Sequence, residues 1–176
     1  LTNTGITTIQ SLPNLERLTL NNSDITQLSD ILSKLPKLKQ LDLSNNEIAD
    51  LPELLITKLS KLAELKVLDL SYNEIAELPE SLITKLSELA ELKDLNLSNN
   101  EITNLPETFK DLTNLTEINL STNKFTSYPT ELDALITAAN EDGQDIKIDL
   151  TNNHSITNFS NLFGSSGKYP DFGEEF

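Results

Sequence analysis

The sequence predicts an α/β solenoid, a curved, right-handed coil of repeats with a parallel β-sheet on its concave side and short helices on its convex side. Three observations support this fold class. One short pattern recurs along the chain, leucine and polar residues alternate within it, and leucines at helical spacing lie between its copies. Strands that alternate with helices favour a parallel sheet, and a repeated unit favours a stack.

The recurring pattern is L-x-x-L-x-L-x-x-N-x-I, and we number its positions 1 to 11. Its two most similar copies read LKVLDLSYNEI at residues 65–75 and LKDLNLSNNEI at residues 92–102. The second half of a copy opens the chain at residues 1–6. We therefore expect about six repeats plus a truncated first one, together forming a solenoid over residues 1–156. The copies begin at Leu15, Leu38, Leu65, Leu92, Leu115 and, more weakly, Asp145.

Each copy of the pattern predicts one strand. The leucines at positions 4 and 6 alternate with polar residues, which is the period of a strand that is buried on one face. A single repeat cannot bury its own leucines, so neighbouring repeats must stack to share a core. Successive strands should therefore lie side by side and in parallel.

A short helix is predicted after each strand, where the sequence reads I-x-x-L-P and then a helical stripe such as Leu82, Leu86 and Leu89. Proline is well tolerated at a helix start, because its missing N–H would have no partner there. The repeats that begin at Leu38 and Leu65 are 27 residues long, against 23 for their neighbours, so we expect their helices to be one turn longer. A further helix is expected over residues 132–139, before an acidic loop that contains glycine.

This pattern resembles the leucine-rich repeat family over residues 1–156. The resemblance implies that the asparagine at position 9 points inward and that its amide satisfies backbone groups in the turn. The segment LSNNEIADLPE and the Asn-, Ile- and Lys-rich composition without cysteine are similar to leucine-rich repeat effectors of intracellular bacteria, such as those of Legionella. That likeness implies secretion by a bacterium, possible delivery into the host cytoplasm, and capture of a host protein.

The composition excludes several classes of function. A net charge of −15 repels nucleic acid and anionic membranes, so we expect a protein partner with a neutral or basic surface. We also expect the chain to be a monomer. Without cysteine there is no disulfide and no thiolate metal site, and no apolar run is long enough to span a membrane. The one histidine, His154, reads as a solvent-facing turn residue. We predict no catalytic residue, no cofactor and no metal.

The candidate binding residues are the side chains that the core does not use. These are positions 3, 5 and 7 on the concave face and positions 2 and 8 at its rims. Val67 and Tyr72 are expected to anchor a partner, because exposed aromatic residues near the centre of a patch are favoured there. The predicted set is Lys39, Gln40, Asp42, Lys66, Val67, Asp69, Tyr72, Lys93, Asp94 and Asn96.

Several alternatives to this binding hypothesis remain open. Tyr72 could cover a neighbouring side chain, and the lysines of position 2 could simply neutralise the acidic strip formed by Asp42, Asp69 and Asp94. Asp42 and Asp69, about 4.8 Å apart on adjacent strands, could hold Ca²⁺ only if amides and water completed the coordination. Other functions are the substrate-recognition domain of a larger enzyme such as a bacterial ubiquitin ligase, an adhesive surface protein, and catalysis by this chain alone.

The two ends of the sequence depart from the repeat. Residues 157–176 are expected to form a C-terminal cap and tail, with Phe159 and Phe163 spaced to form a lid with Leu162. The stretch after Gly164 either wraps the end of the solenoid or forms a loose tail or docking peptide. Because the chain begins in mid-repeat and without methionine, we expect further sequence upstream.

Overall fold

A computed structural model describes residues 12–22, 28–141 and 143–153 of the chain. Within them six parallel strands form one sheet in chain order, and helical segments follow five of the strands, which confirms the predicted fold class. The expectations for residues 1–6, His154 and the cap at 157–176 lie outside the described residues. The strands are β1 (Arg17–Thr19), β2 (Gln40–Asp42), β3 (Val67–Asp69), β4 (Asp94–Asn96), β5 (Glu117–Asn119) and β6 (Lys147–Asp149). The helices are α1 (Leu28–Leu32), α2 (Glu53–Leu59), α3 (Glu80–Ser87), a 3-10 helix (Glu107–Asp111) and α4 (Glu131–Glu141).

Neighbouring strands pair without any offset in the repeat pattern. Leu41 of β2 lies opposite Leu68 of β3, which lies opposite Leu95 of β4. Every pattern position therefore forms a row that runs across the sheet from repeat to repeat. A shift of one residue would turn each row to the opposite face, so burial of the leucines fixes this register.

The leucines of the pattern form one continuous core. In the central repeat Leu65, Leu68, Leu70 and Ile75 are fully buried. They belong to the same cluster as the helix leucines on the convex side. Burying one leucine contributes about 1.5–3 kcal/mol, so stacking of repeats supplies most of the stabilisation.

The asparagines of position 9 form a ladder inside the turn, as the resemblance implied. The Asn73 amide donates to the carbonyl oxygens of Leu43 (3.1 Å) and Leu70 (3.0 Å), and its side-chain oxygen accepts from the N–H of Ile48 (3.1 Å). One side chain thus satisfies backbone groups of two repeats, where the sheet offers no partner. The equivalent donors are Asn46, Asn100, Asn123 and Asn153.

The helices follow the repeat lengths. The 27-residue repeats carry α-helices of 7 and 8 residues, and the 23-residue repeats carry segments of 5 residues, which confirms the longer helix. Prolines 52, 79 and 106 occupy the N-cap rather than the first helical position, with extended backbone such as φ −60° and ψ 142° at Pro52. The 3-10 form after β4 was not predicted. Its tighter coil suits a short segment.

Helix α4 is longer than predicted, and a glycine lies just beyond its end. It extends to Glu141, and Gly143 has a φ of +70°, in the left-handed region that favours glycine. The N–H of Gln144 donates to the Ala139 carbonyl (2.8 Å) and that of Gly143 donates to the Asn140 carbonyl (3.1 Å). This pair of hydrogen bonds is a Schellman motif, which satisfies the last helical carbonyls and turns the chain towards β6.

Candidate functional site on the concave sheet and its rim

Three of the predicted binding residues lie side by side in the position-3 row of the concave face. Gln40 pairs with Val67, and Val67 pairs with Asp94. All three are half-buried, whereas the outer members Arg17, Glu117 and Lys147 are exposed. The row therefore presents an aliphatic side chain at its centre, between a neutral amide and a carboxylate.

The position-5 row is less free than the sequence suggested. The Asp42 side chain accepts a hydrogen bond from the N–H of Ser44 (3.0 Å), and Asp69 and Asn96 accept equivalent bonds from residues 71 and 98 (2.9 and 3.1 Å). The Asn96 amide also donates to the other oxygen of Asp69 (3.2 Å). These contacts are Asx-turns that end each strand. The restriction of this position to Asp or Asn from β2 onward was the sequence signal for them.

Position 7 offers less surface to a partner than the sequence suggested. The four serines of this row are buried, with exposed fractions between 4% and 9%. The Ser121 hydroxyl donates to the side-chain oxygen of Asn119 (2.7 Å), so this serine lies against the position-5 row. The residues are Ser44, Ser71, Ser98 and Ser121.

Position 8 adopts a left-handed backbone in every described repeat, with φ between 50° and 59°. Four of the six residues are asparagine, which tolerates this conformation, and the exceptions are Tyr72 (φ 53°) and Thr122 (φ 55°). The N–H of Tyr72 donates to the Ser98 carbonyl (3.0 Å), so the sheet holds the backbone in place. The recurring asparagine was the sequence signal for this conformation.

The Tyr72 side chain is 57% exposed, one of the few large apolar side chains so accessible in the described part of the chain. That exposure argues against the alternative in which Tyr72 covers a neighbouring side chain. The left-handed backbone favours asparagine at this position, because that conformation destabilises most other L-residues by roughly 1–2 kcal/mol.

The lysines of position 2 form the predicted row, since Lys66 N–H donates to the Lys39 carbonyl and Lys93 N–H to the Lys66 carbonyl. Their ammonium groups, however, contact Glu16 (2.6 Å), Glu91 (3.5 Å) and the Asn114 carbonyl (3.0 Å), respectively. The hydrogen bond to Glu16 raises the pKa of Lys39. Among the described residues no ion pair joins this row to the acidic strip.

Asp94 lies near other negative charges on the concave face. Burial raises the pKa of this carboxyl, and the nearby charges of Glu117 and Asp69 raise it further, with Lys147 opposing them. Glu117 lies directly opposite Asp94 in the register of β4 and β5. A partner that brings positive charge here would stabilise the ionised form of Asp94.

A second acidic feature follows the strands, beside Tyr72, and the sequence reasoning missed it. Four exposed carboxylates belong to it, and none forms an ion pair within the described residues. We call these four side chains the acidic rim. The acidic rim consists of Glu47, Asp50, Glu74 and Glu77.

A metal site has little support in the described segments. They contain no group of three or more His, Cys, Asp or Glu side chains placed to hold a metal ion. One oxygen each of Asp42 and Asp69 already accepts a backbone N–H, which reduces what the pair can offer Ca²⁺. Of the helices that are described, none has the length and apolar character needed to cross a membrane.

Comparison with known proteins agrees with this architecture. The chain matches a family model described as leucine rich repeat over residues 63–125 and one described as leucine rich repeats (2 copies) over residues 13–55. No curated protein sequence is significantly similar to it.

Two solved structures illustrate the fold. Internalin C2 of Listeria monocytogenes is similar with a TM-score of 0.64 and 27% sequence identity, over 92% of this chain and 63% of that one. A chain in the Toll–Spätzle complex of Drosophila has a TM-score of 0.60 and 26% identity, over 80% of this chain and 17% of that one. This chain thus spans less than two thirds of either relative. From its repeats, its asparagine ladder and these matches, the chain is a leucine-rich repeat protein.

Proposed function

We propose that this chain binds a partner protein through its concave sheet, with the contact centred on the repeat that contains β3. Leucine-rich repeat domains generally mediate protein–protein interaction and are typically not enzymes. The observation that carries the proposal is Tyr72, a 57% exposed tyrosine near the middle of the sheet, at a position where the backbone favours asparagine. Tyrosines of this kind are frequent binding hot spots.

The proposed contact runs along the strand as well as across the sheet. Val67 and Tyr72 are five residues apart, so their Cα atoms are at most about 18 Å apart. A partner that touches both residues covers the Asp69 side chain between them. Contact over neighbouring repeats would reach the roughly 800 Å² that each partner contributes to a specific interface.

The chemistry of the face sets the kind of partner. Asp94 and the outer residue Glu117 give the concave centre negative charge, in a chain with a net charge of −15. A protein with a neutral or basic surface fits this field, whereas nucleic acid and anionic lipid are repelled by it. We further propose that the chain acts as a monomer, since two copies of such charge repel each other.

The biological setting belongs to the same proposal. The chain is a secreted bacterial protein that acts on a host protein. The resemblance to effectors of intracellular bacteria and the likeness to internalin C2, a protein of Listeria monocytogenes, support this setting. The similarity covers 63% of the internalin C2 chain, so it supports the proposal only for the portion that the two proteins share.

The test compares host-lysate capture by the wild type, by Tyr72→Asn with Val67→Ser, and by the control Leu54→Ser. Leu54 is 58% exposed on α2, on the convex side, so the control removes an equally accessible apolar side chain from the other face. The partner that is captured is then purified and titrated against all three proteins. We expect the double variant to bind at least about tenfold more weakly and the control to bind unchanged. Full retention by the double variant, or loss with the control, contradicts the proposal.

A further inference from the structure

We infer that Tyr72 and the acidic rim bind a basic segment of the partner, with a lysine or arginine side chain held between the tyrosine ring and the carboxylates of Glu47 and Glu74. The inference rests on the proposed binding function and narrows its partner from a neutral or basic protein to one that presents a cationic segment. It also moves the main electrostatic contact from the predicted acidic strip to the edge of the sheet where the strands end.

The backbones of the three residues lie close to one another. Tyr72 and Glu74 are two residues apart, so their Cα atoms are within about 7 Å. The N–H of Glu74 donates to the carbonyl of Ile48 (3.0 Å), which sets the two repeats side by side in this segment. Glu47 and Glu74 occupy the same pattern position, so their backbones are about 4.8 Å apart. One extended cationic side chain can reach all three.

The chain itself shows how an ammonium group binds in this row. Position 10 reads Glu47, Glu74, Glu101 and Lys124 in successive repeats. Lys124 contacts Glu101 at 3.1 Å, so the last carboxylate of the row is neutralised by the neighbouring repeat. Among the residues that the structure describes, no cation pairs with Glu47 or Glu74. Like charges opposite each other on adjacent backbone segments repel, as they do on neighbouring strands. A cation from the partner would neutralise Glu47 and Glu74, as Lys124 neutralises Glu101.

Tyr72 adds a second attraction for the same group. A lysine or arginine over the face of a tyrosine ring contributes about 0.5–1 kcal/mol at an exposed site, through the quadrupole of the ring. In contrast, Asp42 and Asp69 each commit one oxygen to the backbone of their own turn. The edge beside Tyr72 therefore offers the carboxylates that are free for a partner.

Hexalysine peptide is the probe, titrated into the 15N-labelled full chain at low and at physiological salt, with hexaglutamate as the control peptide. Chemical-shift changes should concentrate on amides of residues 45–50 and 72–77. Tyr72→Asn should weaken hexalysine binding about 2- to 5-fold, and Glu47→Gln with Glu74→Gln about 5-fold or more. The matched control, Glu80→Gln with Asp111→Asn, makes the same charge change on the convex side and should leave the affinity unchanged.

Equal weakening by both double variants would mean diffuse attraction to a chain of high net charge, and it would overturn the inference. Chemical-shift changes spread over the convex helices would also overturn the inference, as would self-association through the rim observed by analytical ultracentrifugation.

The proposed function can be contradicted independently of this inference. If hexalysine does not bind the acidic rim while binding of the captured partner still depends on Tyr72 and Val67, the proposed function is retained. The inference that the partner presents a cationic segment is then wrong. If hexalysine binds the rim but capture is independent of Tyr72 and Val67, the proposed function is wrong and this inference, as a statement about its partner, falls with it.

Discussion

The side-chain oxygen of Asn100 accepts a hydrogen bond from the backbone N–H of Ile75, 3.0 Å away in the preceding repeat. The amide group of the same side chain donates to the carbonyls of Leu70 (3.0 Å) and Leu97 (3.1 Å). Asn100 is 4% exposed, so these hydrogen bonds are buried. Hydrogen bonds of this ladder therefore join neighbouring repeats, in addition to the packing of the leucines.

Replacing Asn100 with alanine should lower the free energy of unfolding by about 1–3 kcal/mol, because the buried N–H of Ile75 loses its partner. The carbonyls of Leu70 and Leu97 keep the amide of a neighbouring ladder asparagine. Urea denaturation followed by circular dichroism measures the change. The control Asn104→Ala, on an exposed loop, should stay within about 0.5 kcal/mol of the wild type. A loss below about 1 kcal/mol for Asn100→Ala would contradict the structural role of the ladder.

Thr122→Asn should stabilise the protein. Thr122 is β-branched and has a φ of 55°, a conformation in which asparagine is several times more frequent than in other non-glycine residues. We expect a gain of about 0.5–1 kcal/mol in the free energy of unfolding, measured by urea denaturation. Thr126→Asn, an exposed site that lacks a positive φ, is the control and should change little. No gain at residue 122 would show that position 8 carries no strain.

Asp42 should tolerate asparagine but not alanine. Its side-chain oxygen accepts the Ser44 N–H at 3.0 Å, and the amide of asparagine does the same at residues 96 and 119. Asp42→Asn should therefore be neutral or slightly stabilising, since it also removes repulsion from Asp69 across the sheet. Asp42→Ala should lose about 1 kcal/mol. Equal thermal stability of the two variants would contradict the Asx-turn as the main role of this residue.

Asp94→Asn should stabilise the protein at neutral pH and lose this advantage in acid. Burial and the charges of Glu117 and Asp69 raise the pKa of Asp94 above 3.8, so the folded state holds the proton more tightly than the unfolded chain does. The ionised carboxyl therefore destabilises the fold above its folded pKa, and this effect disappears as the pH falls through that value towards 3.8.

Denaturation of the wild type and of Asp94→Asn across this pH range measures the difference directly. At pH 7 the variant should be more stable by about 0.2–1 kcal/mol, the size of a repulsion between like charges on adjacent strands. A difference that stays constant down to the unfolded pKa, or one of opposite sign, would contradict the assigned environment of Asp94.

Much of the fold was predictable because the repeat pattern is redundant. Each copy fixes a strand, a turn and a helix, and in-register pairs such as Leu68 and Leu95 leave no alternative alignment of the copies. The longer helices of the 27-residue repeats followed from length alone. The 3-10 helix at Glu107–Asp111 did not, since composition hardly separates it from one turn of α-helix.

The binding face was less predictable, because alternation along a strand gives the direction of a side chain but not how far its neighbours cover it. The alternation predicts a free side chain at position 7, but Ser71 is 4% exposed and offers almost no surface to a partner. The left-handed backbone of Tyr72 and the exposure of Glu74 depend on the turn that follows β3. The two-residue alternation of a strand does not describe the geometry of that turn.

The most direct test of the whole account is the dissociation constant of the captured partner for Tyr72→Asn, measured by calorimetry beside the wild type. Asparagine restores the residue that the backbone favours, so the variant should be as stable as the wild type or more stable, by about 0.5–1 kcal/mol. The account predicts binding at least about tenfold weaker in this more stable protein. An unchanged dissociation constant would show that Tyr72 is not where the partner binds.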